Sequence, residues 1–189
     1  MCPLACVALT GRVVLTGAAG KLGRAVLAEL TDHGWDVLAV DRVPVPGWTG
    51  HAVRADLTDY GQVLEIVSGG IDEREPRPDA VVHLAAVPAP GLIPNSATFT
   101  KNAPATWNVF HACRAAGVRK VVWASSETVL GLPFDRPPPY APVDEQYRPR
   151  PESTYSLVKA LEEEMADQWC GQRGRDDGDV GQVGSPTRR

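Results

Sequence analysis

Short runs of aliphatic and β-branched residues alternate along the chain with longer stretches whose apolar positions recur every three or four residues. Arg12 to Thr16 (RVVLT) predicts a strand buried on both faces. Lys21 to His33 places Leu22, Val26, Leu27 and Leu30 at helical spacing, with Gly34 as a stop. Asp36 to Val40 reads as a second strand, closed by Asp41, and His51 to Arg54 as a weak third. A helix is predicted over Tyr60 to Val67, with Val63, Leu64 and Val67 on one face, and then a polar, proline-containing loop over Ser68 to Pro78. Ala80 to Leu84 is the fourth strand, Ala97 to Ala116 a long helix, and Lys120 to Ala124 the fifth strand.

Strand and helix in regular alternation, with strands apolar on both faces, predict an α/β fold: a parallel sheet covered by helices on both sides. The Rossmann doubly wound arrangement would order its strands 3-2-1-4-5. From Leu132 to Pro151 the chain turns proline-rich and loses periodicity, as expected of a loop that covers a site. A helix resumes from Glu152 to about Trp169. Beyond Cys170 the composition shifts to Gly, Arg and Asp, too poor in apolar residues for a buried strand. The expected organisation is therefore one dinucleotide-binding domain over residues 1–169 and a disordered tail over 170–189. Met1 to Leu9 is mildly apolar but lacks the basic start and small-residue cleavage pattern of a signal peptide, so it reads as a loose lead-in.

An apolar fraction of 43 % beside 22 % charged residues supports a real core. The net charge of −4, with no basic cluster, argues against nucleic-acid or anionic-membrane partners. No apolar run approaches the ~20 residues that span a bilayer, and a cytoplasmic location is expected. Cys2, Cys6, Cys113 and Cys170 are scattered, with no His or second Cys pair to complete a metal site; thiols in a reducing compartment and no metal are expected.

The strongest local motif is Gly17-Ala18-Ala19-Gly20-Lys21-Leu22-Gly23, directly between the first strand and the first helix. Gly17 permits the tight turn, Gly20 admits a diphosphate against bare backbone, and Gly23 lets helix and strand pack closely. The helix N-terminus adds unpaired N–H groups and a partial positive charge. Asp41 closes the second strand, where a carboxylate accepts from both adenosine-ribose hydroxyls and repels a 2′-phosphate. That favours NAD over NADP, although the neighbouring Arg42 could pair with such a phosphate.

Tyr155 and Lys159 (YSLVK) sit four apart on a predicted helix and so share a face. A cation beside a phenol stabilises the phenolate, which suits proton exchange with a carbinol oxygen. Tyr-x-x-x-Lys alone is common on exposed helices; its weight here comes from the glycine turn upstream. Ser125 and Ser126 follow the fifth strand at the carboxyl edge of the sheet, where open α/β folds bind ligands, though either could simply cap a loop.

Taken together, the chain resembles the extended short-chain dehydrogenase/reductase family, in its NAD-dependent epimerase/dehydratase branch. The resemblance rests on TGAAGKLG at Thr16 to Gly23, Asp41, Asp56-Leu57, HLAA at His83 to Ala86, Asn102, SSETVLG at Ser125 to Gly131 and YSLVK at Tyr155 to Lys159, spanning about residues 12–168. It implies that Asp56 and Leu57 flank the adenine and that Leu84, Ala85 and Ala86 line the cofactor, with Asn102 near it. Ser126 would then be the catalytic serine and Tyr155 the acid/base. Lys159 would hold the nicotinamide ribose while tuning Tyr155. His83 reads instead as a packed, hydrogen-bonded histidine at a strand end.

Two departures qualify what the resemblance implies. Sugar-nucleotide 4,6-dehydratases of this branch carry an Asp-Glu pair where this chain has Glu127 and Thr128, so dehydratase falls behind dehydrogenase and epimerase. Family members also continue past the Tyr–Lys helix into further strands and a substrate domain, and a truncated or frameshifted product is expected here. The implied activity is Tyr-assisted hydride transfer on a sugar or nucleotide sugar with NAD. The alternative is a non-catalytic NAD(P)-binding remnant or sensor module. A homodimer through the two long helices is also implied, with Val109, Phe110, Leu157 and Leu161 serving either that interface or the core.

Overall fold

In the computed structural model, which describes residues 11–71, 76–131 and 136–176, the apolar runs form five parallel strands: β1 (Arg12–Thr16), β2 (Asp36–Asp41), β3 (Ala52–Arg54), β4 (Ala80–His83) and β5 (Lys120–Trp123). Their order is β3-β2-β1-β4-β5, the expected Rossmann arrangement. All five residues of β1 are buried, as a central strand covered on both faces requires.

Four helices cover the sheet: α1 (Lys21–Asp32), α2 (Tyr60–Ser68), α3 (Asn95–Ala116) and α4 (Thr154–Asp176). Strand pleating divides their partners. Leu15, Val37 and Ala39 meet Leu27 of α1 on one face. Val14, Leu38, Val40, Val81 and Val121 meet Val63 of α2, Val109 and Phe110 of α3 and Ala166 of α4 on the other. Val109 and Phe110 are thus core residues, 1 % and 3 % exposed, because their face of α3 looks at the sheet. They are unavailable to an intermolecular interface.

Local chemistry sets the helix ends. Asp59 caps α2 by accepting from the N–H groups of Gly61 and Gln62, and Gly69 closes it in the left-handed conformation. At the start of α4, Ser153 Oγ accepts from Ser156 N–H (3.1 Å) while Ser156 Oγ accepts from Ser153 N–H (2.9 Å). This is a reciprocal capping box that puts a serine where glutamate is usual, and it starts the helix at Thr154, two residues after the expected Glu152. α3 runs through Pro104, whose missing N–H and ring would weaken an isolated helix by ~3 kcal/mol; packing on both sides of that point holds it.

α4 also continues to Asp176, seven residues beyond Trp169, so the stretch 170–176 is helix rather than disordered tail. Extending a helix already anchored by packing requires only propagation, and each added glycine opposes it by only about 1 kcal/mol. The expected lead-in at 1–9, with Cys2 and Cys6, and the tail at 177–189 lie outside the described residues, as do 72–75 and 132–135 of the two expected loops. No helix among the described residues is long and apolar enough to cross a membrane.

Candidate active site

Strands β1, β4 and β5 end side by side, and the chain leaving each of them builds one wall of the candidate site. After β1 comes the glycine turn. Gly17 has φ +72°, and a Cβ there would lie 2.6 Å from the Ala85 nitrogen. A Cβ on Gly23 would come within 2.0 Å of the Gly17 oxygen, whereas one on Gly20 would meet only that oxygen, at 3.2 Å. Gly17 and Gly23 are therefore required by the protein's own packing, and Gly20 keeps a surface bare. No side chain caps α1 and no acidic residue sits in its first turn, so the amides there face open space.

That space is a cleft of about 570 Å³. Of the residues expected to hold a cofactor, Gly17, Gly20, Lys21, Leu22, Gly23, Asp41, Arg42, Asp56, Leu57, Leu84, Ala85, Ala86 and Asn102 line it. Ala19 does not; its N–H donates to Asp41 Oδ2 (3.0 Å) and ties the turn to the end of β2. Asp41 Oδ1 accepts from the N–H groups of Arg42 (2.7 Å) and Val43 (3.3 Å), which fixes the carboxylate while leaving it on the cleft wall.

Asp56 Oδ1 accepts from the Thr58 N–H (3.0 Å) and hydroxyl (2.8 Å). These bonds hold its carboxyl below the ordinary value, with further help from Arg42 and Lys101. An ionised acceptor at this end of the cleft suits an adenine amino group. Asn102 is 2 % exposed and uses both ends of its amide on the backbone of Val87, accepting from its N–H (2.8 Å) and donating to its carbonyl (3.0 Å). Its part in the cleft is to clamp the wall that follows β4. Thr58 and Lys101 also line the cleft; neither belongs to a recognisable motif.

Ser126, Tyr155 and Lys159 lie beyond the lining of this cleft, toward the ends of β4 and β5. Ser126 caps a short 3-10 turn, Glu127–Leu130, its Oγ accepting from Thr128 N–H (3.3 Å) and bonding the Thr128 hydroxyl (2.9 Å). Ser125 donates to Glu163 of α4. Tyr155 is 7 % exposed, and its phenol has no hydrogen-bond partner among the described residues. Lys159 reaches the carboxyl edge of the sheet, donating to the carbonyl of Ala124 (2.7 Å), the residue after β5, and to Glu162 Oε2 (2.8 Å).

Behind Lys159 lies a buried polar chain that the sequence did not announce. His83 at the end of β4 bonds Thr16 Oγ1 through Nδ1 (2.7 Å) and Thr106 Oγ1 through Nε2 (3.1 Å). Beyond it, the Thr106 hydroxyl favours the carboxylate of Glu162, which is 1 % exposed. One neutral tautomer satisfies both histidine bonds: Thr16 donates to Nδ1 and Nε2–H donates to Thr106. Burial, and then the Lys159 charge, push His83 down to about 3, so it stays neutral. Burial also raises the Glu162 carboxyl above its ordinary value, against the opposing pull of Lys159 and Thr106. His83 is thus the packed, bonded histidine expected. Glu162 went unnoticed because Glu162-Glu163-Glu164 reads as a solvated run. Among the described residues no group of three or more His, Cys, Asp or Glu gathers as a metal site would need.

Residues 13–176 match the model of the NAD dependent epimerase/dehydratase family. UDP-glucose 4-epimerase of Azospirillum brasilense is 30 % identical over 168 residues, 84 % of this chain and 44 % of that protein. The NAD-dependent glucose-6-phosphate dehydrogenase of Haloferax volcanii is 30 % identical over 167 residues, 81 % of this chain and 60 % of that protein. A short-chain dehydrogenase/reductase superfamily protein from Agrobacterium tumefaciens, solved with bound NAD, superposes with a TM-score of 0.68 at 35 % identity, covering 82 % of this chain and 44 % of that one. The chain thus spans 44 % and 60 % of the lengths of the two curated relatives. It belongs to the NAD dependent epimerase/dehydratase family.

Proposed function

We infer that this chain carries the cofactor half of an NAD-dependent oxidoreductase or epimerase acting on a sugar or nucleotide sugar in the cytoplasm. The observation that carries the reading is the Lys159 ammonium at the carboxyl edge of β5, on the same sheet edge as the glycine cleft. The cleft fits NAD on its own terms: Gly20 leaves backbone bare, the α1 amides are uncapped, and the Asp41 carboxylate on the cleft wall can accept from ribose hydroxyls. The Asp41 carboxylate disfavours a 2′-phosphate and so supports NAD over NADP.

Bound NAD would supply the hydride acceptor. The chain's own part is to hold and move a proton. The Tyr155 phenolate takes the proton of a substrate hydroxyl and becomes neutral, the Lys159 ammonium favours that phenolate and would hold the nicotinamide ribose, and the Ser126 hydroxyl steadies the reacting oxygen. A dehydrogenase releases the oxidised product, whereas an epimerase returns hydride to the opposite face. Calorimetry with NAD and NADP, followed by NADH formation from glucose 6-phosphate, L-arabinose and a uronate and by epimer formation from UDP-glucose, tests the reading. The expected outcome is NAD binding with turnover that falls about 10²- to 10⁴-fold in Tyr155→Phe. NAD binding without turnover on any of these would favour a non-catalytic cofactor module.

Exposed apolar side chains on the two long helices, Phe99 and Trp107 on α3 and Leu157 and Leu161 on α4, support a homodimer through these helices.

A further inference from the structure

We propose that Glu162 is a positioning residue, the buried carboxylate that pairs with the Lys159 ammonium and aims it at the carboxyl edge of the sheet. The proposal rests on the Tyr155–Lys159 reading above. A lysine with four rotatable bonds does not find one direction unaided, and an ammonium 5 % exposed needs partners in place of water. Lys159 has two. The Ala124 carbonyl (2.7 Å) supplies direction, and Glu162 Oε2 (2.8 Å) supplies direction and charge. An ammonium has three donors, so one N–H remains for a ribose hydroxyl.

Glu162 is itself held from behind. The Thr106 hydroxyl on α3 favours its carboxylate, His83 on β4 bonds Thr106, and Thr16 at the end of β1 bonds His83. The charged and titratable groups facing Glu162 are Lys159 and Glu163 on its own helix; across from it, His83 is neutral behind Thr106. This row of buried polar groups runs from the residue before the glycine turn to the ammonium. It thereby ties the placement of Lys159 to the strand ends that shape the cofactor cleft. An ion pair that served packing alone would need no such backing, and a buried pair often contributes little net stability.

The test uses the 189-residue chain with ¹⁵N-labelled lysine. A buried, hydrogen-bonded ammonium gives a ¹⁵Nζ–H resonance, identified as Lys159 by its loss in Lys159→Arg, and its exchange with water is measured. Glu162→Gln keeps the shape and removes the charge. The resonance is expected to be lost in the variant, or its exchange with water to quicken at least about tenfold, because the ammonium has lost the partner that holds it in place. Glu162→Met, similar in volume and with no polar atom to satisfy, gives the same result should Gln disturb folding. An unchanged resonance in the variants overturns the proposal. If the resonance depends on Glu162 but the parent turns over none of the sugars tested, the sugar reading fails and the placement of Lys159 by Glu162 stands.

Discussion

Gly20 and Gly23 lie three residues apart in one turn yet answer to different constraints. A Cβ at 23 would meet the Gly17 carbonyl at 2.0 Å, so Gly23→Ala must push α1 off β1 and is expected to cost about 3 kcal/mol in urea unfolding. Gly20→Ala meets only one atom, at 3.2 Å. It should cost about 1 kcal/mol or less while lowering NAD affinity at least about tenfold by calorimetry, because its methyl occupies the surface offered to the diphosphate. Equal effects of the two changes on stability would contradict this division. His83 carries a pH signature. Its folded value of about 3 lies below the ordinary 6.5, so the unfolded chain binds more protons between the two. The stability it supports is intact above pH 6.5 and is lost as pH falls toward 3, on the order of 5 kcal/mol in total. Glu162 works in the opposite sense, since its raised value favours the folded state below the ordinary carboxylate range and ceases to do so as pH climbs through the folded value. Replacing the titrating ring by an amide that still bonds both threonines, His83→Gln, should flatten the decline of the urea midpoint between pH 6.5 and 4.

At the scale of elements, α3 does more than cover the sheet. Asn102 clamps Val87, Asn108 donates to the Leu57 carbonyl, and Thr106 backs Glu162, so one helix face shapes both ends of the site. Asn102→Leu leaves the Val87 N–H and C=O without partners and is expected to cost about 2–3 kcal/mol and to weaken NAD binding, measured by denaturation and calorimetry. Residue order placed the start of α3 to within two residues, Asn95 against the expected Ala97. It could not reveal which polar residue on that face serves as a clamp. A buried asparagine and an exposed one have the same letter, and only the arrival of the loop after β4 makes Asn102 a clamp. The same holds for the Ser153–Ser156 cap of α4, whose second serine stands where a glutamate would have been legible.

For the molecule as a whole, coverage of the sheet is unequal. Among the described residues, α1 is the helix that packs against one face while α2, α3 and α4 pack against the other, and Val122 of β5 is 40 % exposed. The proposed homodimer would draw on a different surface, the outer sides of α3 and α4. Leu157→Glu combined with Leu161→Glu is expected to convert a dimer to a monomer in sedimentation, with the unfolding free energy changed by less than about 1 kcal/mol because both side chains already lie in solvent, 44 % and 37 % exposed. A parent chain that sediments as a monomer would sink the dimer outright.

The glycine turn and the Tyr–Lys spacing were readable from residue order, because each depends on contacts within one βα unit or one helical turn, and strand order followed from the topology rule for alternating strands and helices. Val109 and Phe110 were readable only as apolar; which side of α3 met the sheet decided that they are core. The buried chain from Thr16 through His83 and Thr106 to Glu162 joins residues up to 146 positions apart (162 − 16). Its members differ from ordinary surface polar residues only in having lost water. Desolvation is a property of the assembled structure, and it turned a glutamate in an acidic run into the counter-ion of Lys159.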